Sequence, residues 1–150
     1  MKDMEEKSQD YSLQIASMGH FSQHASEKDY TKIASSGYSS QLASSGECSQ
    51  LTSSGDCSHL ASSGSFSQLA SSGDYSRIDI NGDDSVGACV GIHGRIKGKK
   101  GCWITLAEWK RNKSKKRHVP VCVKSAQIDG EILKEDTWYT LENGKFVECE

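Results

Sequence analysis

Ile15, His24, Ile33, Leu42, Leu51, Leu60, Leu69 and Ile78 stand nine residues apart in an unbroken series, and their neighbours repeat with them. Two positions earlier come Leu13, Ser22, Thr31, Ser40, Ser49, Ser58, Ser67 and Ser76; one position later come Ala16, Ala25, Ala34, Ala43, Thr52, Ala61, Ala70 and Asp79. The unit reads approximately Ala-Ser-Ser-Gly-Asp-Tyr-Ser-Gln-Leu. A period this short excludes most architectures. A 3.6-residue helical turn would scatter the one large apolar residue of each unit around the axis, and a Ser/Gly-rich unit is a poor helix former.

Four positions after each apolar residue stands a glycine (Gly19, Gly37, Gly46, Gly55, Gly64, Gly73, Gly82), replaced only by Lys28, and a small polar or acidic residue usually follows. This is a turn signal. Between turns, segments of the Tyr-Ser-Gln-Leu-Ala kind alternate, with Ser and Leu on one face, as a short half-buried strand requires. A nine-residue strand and turn cannot bury its own leucine, so the units must stack about 4.8 Å apart into a β-solenoid. Nine residues are too few to close a coil, whereas two units make one flattened rung. The spacing therefore predicts an all-β protein, a β-roll of about four rungs over 11–85, with the Gly-rich passage up to 101 continuing or ending the solenoid. Each rung should place two aliphatic and two hydroxyl side chains inside.

The hydrophobic content of 35% suits such a thin core. All three tryptophans fall in the remainder (Trp103, Trp109, Trp138), where the period is lost and a Gly-rich passage leads to CWITLAEW, VPVCVKSAQI and TWYTL-ENG-KFVEC. Asn143-Gly144 is a hairpin signal because both residues tolerate positive φ, and Asp129-Gly130 marks another tight turn. The expected organisation is a charged segment over 1–10, the solenoid over 11–85 and a small basic β domain over 86–150 that covers the solenoid's open edge. Charge divides the same way. Residues 1–85 hold five Lys/Arg against twelve Asp/Glu, a balance of −7, and residues 86–150 hold thirteen against eight, +5, together the −2 of the whole chain. Two such surfaces point to different partners.

The period resembles that of the nonapeptide calcium β-rolls, which implies the two-units-per-rung geometry. Those rolls need a Gly-Gly-x-Gly-x-Asp turn, and here the turn supplies one irregular acid per unit and none at Tyr38 and Ser65. No metal or cofactor is expected. The Gly-x-x-Ser-x-aliphatic phrase resembles the β-roll heads of bacterial trimeric adhesins, which supports the roll and nothing about adhesion. The whole chain resembles the Ala-Ser-Ser-Gly-Asp-Tyr-Ser repeat proteins of gut Firmicutes and their prophages, a likeness that implies a phage-related setting and no activity.

Six cysteines (Cys48, Cys57, Cys89, Cys102, Cys122, Cys149) form no CxxC pair and no Cys/His zinc spacing, and are read as free small fillers. No signal sequence and no apolar run of membrane-spanning length is present, so a soluble protein of the bacterial cytoplasm is expected, with no membrane partner. Nucleophile elbow, P-loop, dinucleotide fingerprint and HExxH are all missing from the sequence, and the reading is not an enzyme.

Three surfaces are candidate partner sites. Trp109, Lys110, Arg111, Lys113, Lys115, Lys116 and Arg117 form a basic loop suited to phosphates or an acidic partner, with Trp109 placed for stacking. On an eighteen-residue coil, Asp29, Glu47 and Asp83 line one edge and Asp56 and Asp74 the other, an array that could imitate nucleic-acid phosphates. Such turns equally favour Asp for local reasons. Phe21, Tyr30, Phe66 and Tyr75 would form an outward aromatic face. The function expected is a non-catalytic macromolecule-binding scaffold presenting a repetitive rigid surface. The alternatives are a prophage-encoded, anti-CRISPR-like inhibitor of a host defence nuclease acting through the acidic edge, and nucleic-acid binding through the loop 110–117. A protein is the first partner expected, nucleic acid the second, and a homo-oligomer through the aromatic face the third.

Overall fold

A computed structural model describes residues 13–150; the charged segment 1–10 and the first two residues assigned to the repeat region lie outside the described residues. Among the described residues every regular element is a strand: β1 (Gln14–Ser17), β2 (Gln23–Ser26), β3 (Lys32–Ser35), β4 (Gln41–Ser44), β5 (Gln50–Ser53), β6 (His59–Ser62), β7 (Gln68–Ser71), β8 (Arg77–Ile80), β9 (Val86–Cys89), β10 (Arg95–Gly98), β11 (Trp103–Asn112), β12 (Arg117–Gln127), β13 (Tyr139–Glu142) and β14 (Lys145–Glu148). Odd strands β1 to β9 pair in parallel on one side and even strands β2 to β10 on the other. Partners lie eighteen residues apart, as in Ile33↔Leu51 and Leu42↔Leu60. The molecule is a β-solenoid with two nine-residue units per rung.

Among the described residues it has five rungs rather than four, because β9 and β10 keep the parallel register after the wording of the repeat has stopped. One compensation makes this possible. The leucine position of β9 is Gly87, and the serine position of β8 is Ile80. A Cβ on Gly87 would lie 2.5 Å from Ile80 Cδ1 and 2.7 Å from Ile96 Cδ1, so Ile80 fills the space that the missing leucine leaves. Cys89 likewise takes a buried serine position, its Sγ 3.4 Å from the Ser76 carbonyl, and burial pushes its thiol up to about 12.

The interior carries twice the hydroxyl content expected. Alternation along each unit turns in not only the serine before the leucine but also the one two residues after it: Ser35, Ser40, Ser44, Ser49, Ser53 and Ser58 are all buried. The two meet across the turn. Ser35 Oγ donates to Ser40 Oγ at 2.7 Å, which donates to the Gly37 carbonyl at 2.9 Å; Ser53, Ser58 and Gly55 repeat this at 2.9 and 2.8 Å. Each buried hydroxyl thus reaches a partner, as a low-dielectric interior requires. The Ser71 hydroxyl is an exception. Its counterpart Ser76 has turned to donate to the Gly55 carbonyl and accept from the Ser58 N–H, leaving Ser71 Oγ buried without a partner. Beside these hydroxyls run the aliphatic ladders Ile33, Leu51, Leu69 and Leu42, Leu60, Ile78, each side chain at most 2% exposed. Burial of one such side chain is worth about 1.5–3 kcal/mol.

The repeat glycine serves stacking and not a left-handed turn. A Cβ on Gly55 would lie 2.0 Å from the carbonyl oxygen of Gly37 one rung below, and Gly64 meets Gly46 in the same way at 1.9 Å. Positive φ falls instead two residues later, at Phe21, Tyr30, Cys48, Cys57, Phe66 and Tyr75, with values of 53 to 58°. Each of these residues donates its N–H to the adjoining rung, as Tyr30 does to the Glu47 carbonyl at 2.8 Å. Lys28 escapes the stacking constraint because it occupies the first described turn on its edge, where it is the carbonyl beneath Gly46.

Beyond the fifth rung, Trp103–Leu106 of β11 continues the first sheet in parallel with β9, and the chain then reverses into β12. β13 pairs antiparallel with β10 at Ile96↔Tyr139 and forms a hairpin with β14. Asn143 and Gly144 turn that hairpin with φ of 51 and 71°. Ile128, Leu133, Tyr139 and Leu141 join the core cluster and close the solenoid end.

Candidate functional site

The basic run forms the outer part of a ribbon: the loop expected between two strands is confined to the turn 113–116, while Lys110, Arg111 and Arg117 lie in the strands themselves. β9 accompanies β11 only as far as Leu106, while the β11–β12 pairing continues through Trp109↔Pro120, Lys110↔Val119, Arg111↔His118 and Asn112↔Arg117. Four residues at about 3.3 Å each make a two-stranded arm roughly 13 Å long before its turn. Lys110 and Arg111 lie in β11, Arg117 opens β12, and Lys113, Lys115 and Lys116 fill the turn. Asn112 Oδ1 accepts the Lys115 N–H at 2.9 Å, and Lys116 takes φ of 54°, so the tip has a defined shape. All six cations are exposed. Lys110 reaches Glu108 at 3.4 Å; the other five make no ion pair among the described residues.

Two residues fix the base of the arm. Glu108, buried although charged, accepts the Gly144 N–H on Oε2 and the Asn143 N–H on Oε1, both at 2.9 Å, and so clasps the β13–β14 turn. These bonds hold its carboxyl below the usual range, with Lys110 adding to the effect. On the other side the Trp109 indole donates to the Val90 carbonyl at 2.9 Å, tying the arm to the last solenoid turn. Trp109 is therefore an anchor, and its half-buried ring is not the free stacking surface expected from the sequence. A β-bulge between Glu108 and Trp109 sets the two residues apart. Sequence reasoning missed Glu108 because the acid and the turn it holds are 35 residues apart.

The earlier lysines belong elsewhere. Lys97 bridges Asp79 at 3.4 Å and Asp136 at 3.1 Å beneath the Trp138 ring, and Lys99 pairs with Asp83 at 2.8 Å.

The acids fall on the two edges in the order read from the sequence, with Asp29, Glu47 and Asp83 on one and Asp56 and Asp74 on the other. Three of them have structural duty. Asp29, Asp56 and Asp74 each accept, at 2.8 Å, the N–H of the residue eighteen positions on: Glu47, Asp74 and Ile92. His20 does the same through Nδ1 for the Tyr38 N–H. At these positions the side chain is an acceptor that caps the rung above; Asp83 instead pairs with Lys99 at 2.8 Å.

The four aromatics do not form one face. Phe21 and Tyr75 lie on one edge, where Phe21 meets Tyr38 edge to face at 5.8 Å and Tyr75 meets His93 at 5.0 Å; Tyr30 and Phe66 lie on the opposite edge. Cys48 and Cys57 occupy the same outward edge positions, and all six cysteines are free thiols. Among the described residues no helix is long and apolar enough to cross a membrane, and no group of three metal-ligating side chains occurs.

Compared with known proteins, the chain matches no family model, no curated protein and no solved structure.

Proposed function

We propose that this chain is a non-catalytic scaffold that binds an anionic macromolecule through the β11–β12 arm, with the β-solenoid as its rigid mount. The observation that carries this reading is the arm itself: five exposed cations without ion pairs among the described residues, on a ribbon braced at its base by Glu108 and Trp109. Exposed charge usually needs no explanation, since it keeps proteins soluble. Here the cations sit on an element that leaves the sheet, and its base is held by a buried carboxylate, so the arm is preorganised. The acidic edges support an inhibitor reading less well, because three of their carboxylates already serve backbone N–H groups.

The test is capture from a host lysate, with and without nuclease, by the tagged protein and by a variant carrying Lys113→Ala, Lys115→Ala, Lys116→Ala and Arg117→Ala. The wild type should retain a stoichiometric anionic partner that the variant loses. Identical recovery by both proteins would overturn the assignment to the arm.

A further inference from the structure

We infer that the arm is a ribbon for the major groove of double-stranded DNA, an inference that rests on the arm being the binding element. The first argument is shape. A ribbon with side chains on both faces is about 10 Å thick, the spacing at which sheets stack face to face, and so fits edge-on within the roughly 12 Å width of the B-form major groove, which admits a two-stranded ribbon. Beyond the Trp109 anchor, three paired residues give about 10 Å of free ribbon before the turn, more than the groove depth of about 8.5 Å. The ribbon can therefore reach the groove floor before the solenoid meets the backbone.

The second argument is the distribution of charge. Successive residues of a strand point to opposite faces, so Arg111 and His118 share one face of the ribbon while Arg117 and Lys110 share the other. Lys113, Lys115 and Lys116 surround the tip. A flat acidic protein surface would meet only one of these faces. A groove has a phosphate wall on each side and meets both.

The third argument concerns what else approaches. The first 85 residues carry a charge balance of −7. DNA laid along the solenoid would be repelled, which leaves the basic end as the point of entry. The one tryptophan at the arm is pinned by its indole N–H to Val90, so stacking on unpaired bases, the usual means of gripping a single strand, is not on offer there. A-form RNA duplexes present a deep, narrow major groove that side chains cannot read, and they fit a ribbon poorly.

The experiment uses the full chain and fluorescence anisotropy over a salt series. The probes are a labelled DNA duplex of about two helical turns (roughly 20 base pairs), the matching RNA duplex, the single DNA strand, and heparin as competitor. DNA duplex should bind at least tenfold more tightly than RNA duplex or single strand. Its log affinity should fall against log salt with a slope of about −4.5 for five phosphate contacts. The four-alanine tip variant, altered only at exposed positions, should lose most of that slope and about a hundredfold or more in affinity. Glu108→Gln separates a braced ribbon from mere charge. It removes a negative charge, so simple electrostatics gives tighter binding, whereas loss of the clasp on Asn143 and Gly144 should weaken binding several-fold.

Equal affinity for both duplexes, the single strand and heparin would overturn the groove inference and leave the scaffold reading in place. Failure to bind any nucleic acid, with capture of an acidic protein that the tip variant loses, would do the same. If the tip variant matched the wild type in every assay, both readings would fall.

Discussion

Replacing Gly64 with alanine tests the physical basis of the repeat. Gly64 does not have a left-handed φ, and an alanine at an unstrained open site would stabilise by about 0.4–1 kcal/mol through the unfolded chain. Here the new Cβ would lie 1.9 Å from the Gly46 carbonyl oxygen and 2.5 Å from its carbon, backbone atoms of the rung below. Restoring an ordinary contact of about 3.4 Å means prising two rungs apart by roughly 1.5 Å where strands normally sit about 4.8 Å apart. The bonds flanking the contact are Ser63 N–H to the Ser44 carbonyl at 3.0 Å and Cys48 N–H to the Ser65 carbonyl at 2.9 Å. Losing these and disturbing the Ser67–Gly64 bond at 2.8 Å, at about 1 kcal/mol each, gives a net destabilisation of about 2–3 kcal/mol. Gly101→Ala is the comparison. It has φ of +96° and open space around it, so only the dihedral term of about 1–2 kcal/mol applies. Urea unfolding followed by far-ultraviolet circular dichroism measures both, and amide exchange should show lost protection at Ser63 and Cys48 for Gly64→Ala alone. A neutral or stabilised Gly64→Ala would refute the claim that the glycine exists for stacking.

The other predictions concern sites where the repeat is broken or its edges capped. Gly87→Leu alone should overpack the fifth rung and destabilise by about 1–3 kcal/mol; adding Ile80→Ser restores the usual pair of residues, and a double-mutant cycle should give a favourable coupling above about 1 kcal/mol. Asp56→Ala removes the acceptor for the Asp74 N–H and should cost about 1 kcal/mol in thermal unfolding, while Asp56→Asn, which keeps an acceptor, should cost little. The His59 imidazole is held below its ordinary value, chiefly by withdrawal from water, with Arg77 and Lys97 assisting against Asp79; its ring lies 6.3 Å from that of Trp138. The unfolded chain then binds the proton more readily than the folded one, so this contribution is present above the free-histidine value near 6.5 and is lost as pH falls through the lower folded value. Unfolding measured across that window should show a falling stability on acidification that His59→Gln reduces. Glu108 gives the carboxylate counterpart: its lowered value means that the clasp on Asn143 and Gly144 weakens as pH falls through the folded value. Amide exchange at those two residues should report the loss, and Glu108→Gln should show it at neutral pH.

Much of this protein follows from spacing alone. A single aliphatic residue every nine positions, with glycine four later, permits only a stacked short strand, because nothing within one unit can cover that side chain. Asn143-Gly144 likewise announced its hairpin, since few other residue pairs accept two successive positive φ values. Tertiary structure decided what depends on neighbours eighteen or more residues away. Alternation puts both serines of a unit inside, but only the turn geometry brings Ser35 to Ser40 and makes the second buried position tolerable. The role of glycine, and the acceptor role of Asp29, Asp56 and Asp74, arise from the rung below or above, which no local pattern displays. The fifth rung survived the loss of the repeat because Ile80 and Gly87 exchange volume across the core. The basic run was visible as charge, yet its conversion into a braced arm depends on β9 ending at Cys89 while β11 runs on, and on Glu108 finding a turn 35 residues away. Local chemistry selects the strand and the turn; contacts across rungs determine which side chains are structural and which are left facing outward.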